Sequence, residues 1–246
     1  MEIWQEDPTD MVLDRLGRNL TKDCAPLVKA LGELCGESSQ PRARIVLRSA
    51  LLSRDADMVQ AALHAIEKLK LDGTLSKTIR DCYQWWLHEG PQDPIPGKIV
   101  PKNPAASLLS LLIANRQVSF EGVREAAHAT RFDVRDTAIK AMGQFLSEAD
   151  ELVDPTLDDI RCGNLPCRLV TELSRSYPVV CSRHFDNFLR LLDSDDRSLQ
   201  IACIWALTAG WAEKSKVQAK LRSLLNTPDA GVRDALVEAL RRLGEV

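Results

Sequence analysis

The chain has 246 residues, with 32 Lys and Arg against 35 Asp and Glu, a net charge of −3 and a hydrophobic share of 45%. That is enough apolar material for a large buried core, in one elongated domain or two compact ones. The acidic balance and the lack of a basic tail disfavour nucleic acid as a partner, because a phosphate-tracking surface needs an excess of Lys and Arg.

Met1 to Asp7 is acidic and lacks the basic and apolar regions of a secretory leader. The most apolar stretch, Leu108 to Ala114, is interrupted by Ser110 and is far short of the roughly 20 residues needed to span a bilayer. Seven cysteines, at 24, 35, 82, 162, 167, 181 and 203, are an odd number scattered through helical sequence. They suit buried thiols in a reducing compartment better than a disulfide framework. The expectation is a cytoplasmic protein with no membrane contact and no cofactor.

Helix formers recur three and four apart, and strict strand-like alternation is almost absent, so the fold is predicted to be all-α. In chain order, Pro41 to Leu52 predicts a helix leading into a second whose first apolar residue is Met58. The same pairing recurs with Ser119 to Thr130 before Val134, Ser182 to Leu192 before Leu199, and Lys214 to Asn226 before Val232. A further pair, Pro155 to Arg161 with Leu165 to Ser176, lies between.

Counting each second helix from its first apolar residue, position +4 holds Ala62, Ala138, Cys203 and Leu236. Position +7 is Ala65, Ala141, Ala206 and Ala239, and position +8 is Ile66, Met142, Leu207 and Leu240. These positions form one stripe, and a small Ala at +7 lets a neighbouring helix approach closely. Three residues before the zero stand Asp55, Asp196 and Asp229, each suited to cap the helix start. Arg131 holds that place in the remaining copy, with Asp133 two residues on as the alternative cap. The copies are offset by 76, 65 and 33 residues, a period of about 33 to 38 that fits two short helices and their turns.

The segments Asp229-Ala-Gly-Val-Arg233-Asp-Ala-Leu-Val-Glu-Ala239-Leu and Phe132-Asp133-Val134-Arg135-Asp-Thr-Ala-Ile-Lys-Ala141-Met resemble the second helix of HEAT repeats, with its turn Asp and following Arg. Val59 and Gln200 replace that Arg in the other two copies. The resemblance covers residues 119–246 and 41–70. It implies a right-handed α-solenoid of about six HEAT-like helical hairpins, with second helices lining a concave face. It implies no reaction, because the family consists mainly of scaffolds and adaptors. The predicted organisation is repeats over residues 1–88, a proline-rich loop over 89–104 and repeats over 105–246, in one continuous solenoid.

Five prolines in residues 89–104 predict an extended loop that either separates two subdomains or folds back across the solenoid. Just before it, Tyr83, Trp85 and Trp86 form an aromatic cluster. The two tryptophans point about 100° apart on a helix, so at most one shares the core side of its neighbours. Cys162, Cys167, Cys181 and His184 have the ligand types for zinc, but a helix between Cys167 and Cys181 separates them by roughly 15 Å, so no metal site is expected. No nucleophile elbow or phosphate-cradling glycine loop is present, and the four histidines (64, 88, 128 and 184) have no recognisable partner, so the chain is not expected to be an enzyme.

Positions +2 and +6 carry the functional signal. They are polar in three copies, with Gln60, His64, Asp136, Lys140, Asp234 and Glu238, but apolar in the copy bearing Ile201 and Trp205. An exposed Trp beside an Ile suits an interface anchor, although a covering loop or an irregular repeat would hide the same area. The expected function is noncatalytic binding of another protein through the concave face, as a scaffold, adaptor, assembly factor or immunity-type neutralising partner. The residues expected to carry it are Gln60, His64, Arg135, Lys140, Ile201, Trp205, Arg233 and Glu238. Arg241, Arg242 and Glu245 are expected to form a polar end cap, consistent with a monomer. The enzymatic alternative is a HEAT-like DNA-alkylation-repair glycosylase. The chain has tryptophans at 85, 86, 205 and 211, but no Trp/Asp set matches that family position by position.

Overall fold

The computed structural model describes residues 7–91, 102–210 and 212–244. Among these residues every regular element is helical: fifteen α-helices and three short 3-10 turns, with no strand. The chain forms two compact units, residues 1–119 with 129–134, and residues 120–128 with 135–246. The division does not fall at the proline-rich segment. The helices on either side of that segment pack against each other, because the second of them buries Ala105, Leu108, Leu109, Leu111 and Leu112 and needs cover on several sides.

Unit 1 contains α1 (Pro8–Arg18), α2 (Ala25–Leu34), α3 (Gln40–Leu51), α4 (Ala56–Leu69), α5 (Asp72–His88) and α6 (Ala105–Ala114). Here α1 packs on α2 and α3, α3 on α4 and α5, α2 on α4, α4 on α6, and α5 on α6. Odd-numbered helices therefore lie beside odd and even beside even, while successive helices also pair. A close approach makes this possible. Gly32 of α2 sits against Ala65 of α4, and a Cβ at Gly32 would stand 3.0 Å from the Ala65 Cα.

Unit 2 contains α7 (Phe120–Ala126), the body of α8 (Phe132–Glu148), α9 (Val153–Arg161), α10 (Arg168–Ser176), α11 (Pro178–Arg183), α12 (Phe185–Leu191), α13 (Arg197–Leu207), α14 (Lys214–Ser223) and α15 (Ala230–Arg242). In it α9 packs on α12, α10 on α13 and α13 on α15, while α12 pairs with α13 and α14 with α15. Gly143 of α8 leaves room for the Tyr177 ring; a Cβ there would come within 2.6 Å of Cε2.

The predicted stripe is buried throughout. Met58, Ala62, Ala65 and Ile66 of α4, Val134, Ala138, Ala141 and Met142 of α8, Leu199, Cys203, Ala206 and Leu207 of α13, and Val232, Leu236, Ala239 and Leu240 of α15 all lie in the core. The caps form as well. Asp55 Oδ1 accepts from the Met58 N–H at 2.9 Å, Asp229 Oδ1 from Val232 at 2.9 Å, and Asp196 Oδ1 from Ser198 at 2.7 Å and Leu199 at 3.2 Å. At the start of α8, Asp133 accepts from the adjacent Val134 N–H and pairs with buried Arg131 through Nε (3.0 Å) and Nη2 (2.8 Å).

First-helix boundaries differ more. The predicted Ser119–Thr130 helix is the shorter α7, Lys214–Asn226 stops at Ser223, and Ser182–Leu192 is broken at His184 into α11 and α12. Pro178 starts α11, as expected of a residue that fixes its own φ and lacks an amide donor.

The middle of the proline-rich loop, with Pro94, Pro96 and Pro101, lies outside the described residues, as do Trp211, Glu245 and the acidic N-terminus. The loop's two ends are tied together. Asn103 Nδ2 donates to Pro91 O at 2.9 Å and Trp86 O at 3.2 Å, and Arg131 Nη1 donates to Pro91 O at 3.2 Å. Of the two adjacent tryptophans, Trp86 is buried, while Trp85 is half-buried with the Arg54 guanidinium 5.0 Å above its ring.

Candidate partner-binding site

Gln60 and His64 belong to unit 1, and the other six predicted residues to unit 2. Gln60 and His64 lie one turn apart on α4. With Ala25, Pro26, Lys29, Asp57 and Ala61 they line a shallow groove of about 500 Å³ between α2 and α4. Gln60 Nε2 donates to Ser107 Oγ at 3.0 Å, Lys102 Nζ meets Asp57 at 2.6 Å, and His64 Nε2 stands 3.8 Å from Glu33.

In unit 2, Arg135 is half-buried one residue after the buried Val134. Lys140 is exposed and pairs with Asp136 at 2.8 Å, and the same carboxylate receives Arg168 from α10. Arg233 folds back over the turn before its own helix, with Nη2 donating to Thr227 O (2.9 Å) and Pro228 O (3.3 Å).

Ile201 and Trp205 are half-buried one turn apart on α13. The cation over the Trp205 ring comes from α15. The Arg242 guanidinium lies 4.8 Å from the indole centroid, within cation–π range, and its Nε donates to Glu238 Oε1 at 2.9 Å. Arg241 donates to the same carboxylate through Nε (2.8 Å) and Nη2 (2.9 Å). Hydrogen bonds from Arg241 and Arg242 hold the Glu238 carboxyl down at about 2, and the carboxylate in turn raises Arg241. The structure thus brings Trp205 and Glu238 to two sides of one guanidinium.

Sequence reasoning placed Arg241 and Arg242 only in a polar end cap. The signal for their role was present in the spacing of Glu238, Arg241 and Arg242, three and four apart and so on one helix face. Lacking was the neighbouring helix that sets Trp205 beneath it.

The zinc-like set disperses. Cys181 is buried in α11, Cys162 is exposed just after α9, and Cys167 stands at the start of α10. His184, expected to lack a partner, has two. Its Nδ1 lies 2.7 Å from Asp154 and its Nε2 3.3 Å from Asp150, in a cluster that fastens α12 to α9. No group of three His, Cys, Asp or Glu placed to hold a metal ion occurs among the described residues. Nor, among them, is any helix long and apolar enough to cross a membrane. No protein-family model matches the chain, and no curated protein gives a significant match.

Proposed function

We propose that the protein is a noncatalytic binding module. Each unit is a short HEAT-like stack of helical hairpins, and the exposed face of the second helices receives a partner protein in the cytoplasm. The neighbour relations of α2, α4 and α6, and of α10, α13 and α15, support this reading. The observation that carries it is the half-buried Ile201 and Trp205 pair, apolar where the sibling helices α4, α8 and α15 present polar groups. Aromatic anchors of this kind, ringed by charge, dominate interface energetics.

The experiment is capture of partner by Trp205→Ala compared with wild type, with circular dichroism melting of both. We expect a small shift in the melting midpoint and at least a tenfold loss of capture, on the order of 1.4 kcal/mol or more. Collapse of the thermal transition with unchanged capture by the folded fraction would identify Trp205 as core and reject the proposal.

A further inference from the structure

We infer that the Trp205–Arg242 platform is a receptor for a carboxylate on an acidic, partly apolar segment of the partner protein, with Glu238 holding the guanidinium in place. The inference deepens the binding reading above and rests on it.

Arg242 is held from two directions. Its guanidinium stacks on the Trp205 ring, and its Nε is committed to Glu238. The two terminal amino groups have no hydrogen-bond partner among the described residues, so a planar fork is left in a fixed orientation. That fork matches the two oxygens of a carboxylate, and stacking on an aromatic face is a property of arginine that lysine lacks.

Charge points the same way. Two guanidiniums share one carboxylate, so this trio by itself carries one surplus positive charge, with exposed Asp234 one turn away. The surplus lies in a stretch with a small cationic excess, since residues 213–246 carry seven cations and five anions. Ile201, one turn from Trp205, adds an apolar neighbour, so the matching segment has an aliphatic or aromatic residue beside its acid.

A nucleic acid fits less well. Its affinity comes from a train of cations along the backbone, whereas α15 has exposed Asp234 one turn before Glu238. One fork beside an apolar pair suits one carboxylate.

The test uses the full chain. Random peptides displayed on phage are selected on wild type and counter-selected on Trp205→Ala, and the survivors are synthesised and titrated by fluorescence anisotropy. Arg242→Gln alters an exposed side chain and is the second variant should Trp205→Ala fold poorly.

The expected survivors carry Asp or Glu beside an apolar residue. Arg242→Gln should weaken them about tenfold, as should changing the peptide acid to its amide, because a charge-assisted hydrogen bond is lost. Glu238→Gln, whose amide oxygen still accepts from Arg242 Nε, should tighten them about threefold by removing the neighbouring negative charge.

Survivors without an acid, indifference to Arg242→Gln, or no tightening by Glu238→Gln overturns the carboxylate inference and leaves the binding reading standing. Absence of any peptide that discriminates wild type from both Trp205→Ala and Arg242→Gln overturns both. A labelled DNA duplex and a phosphopeptide run alongside; if either binds more tightly than the acidic peptide and depends on Arg242, the ligand is a phosphate and the inference falls.

Discussion

Asp196 and Asp229 each satisfy backbone N–H groups that a helix start would otherwise leave open. Replacing either with Ala should cost about 1 kcal/mol in urea denaturation, and Asn should recover most of it, because the amide oxygen still accepts the bond. Glu238 supplies the pH-dependent counterpart. Its carboxyl is held at about 2 in the folded chain against an ordinary value of 4.5. A depressed folded-state value means that its contribution to stability is complete above 4.5 and disappears as the pH falls through about 2. The stability difference between wild type and Glu238→Gln should therefore be constant near neutrality and shrink below pH 4.5, as checked by denaturation at stepped pH.

Among the elements, the second helices were legible because one stripe repeats in four places and three of the four copies carry an aspartate cap. Every stripe position is buried in consequence. The first helices were legible only in outline. Their ends depend on neighbours, as where His184 leaves the helix between α11 and α12 and turns both ring nitrogens toward carboxylates from the segment leading into and including α9. The even-numbered partners α2 and α6 were not read as repeats, since α2 carries Gly32 near the contact and α6 is apolar nearly all round, which obscures a stripe. Close approaches make a measurable claim. Gly143→Ala should destabilise the protein by about 1–3 kcal/mol through collision with Tyr177, despite the better helix propensity of Ala. In a Tyr177→Ala background the same change should be neutral or stabilising, and a double-mutant cycle separates the two.

For the molecule as a whole, the thiols report on packing in both units. Cys24, Cys82, Cys181 and Cys203 are buried, and burial pushes Cys82 and Cys181 up to about 12 and raises Cys203 strongly. Mass-spectrometric labelling with iodoacetamide under native conditions should modify exposed Cys162 first and these four only as the chain unfolds. Rapid labelling of Cys203 would contradict the packing of α13. The candidate site was half legible at this scale: Trp205 stood out in the sequence, whereas the guanidinium above it depends on a helix twenty-five residues away in the chain. The bonds that Asn103 and Arg131 make to Pro91 have a practical consequence. They clasp the departure and return points of the backbone to each other, so the two flanking helices share one anchor. Asn103→Ala should therefore unclasp the two ends and lower the melting temperature measurably, through a loss of about 1 kcal/mol for each bond removed.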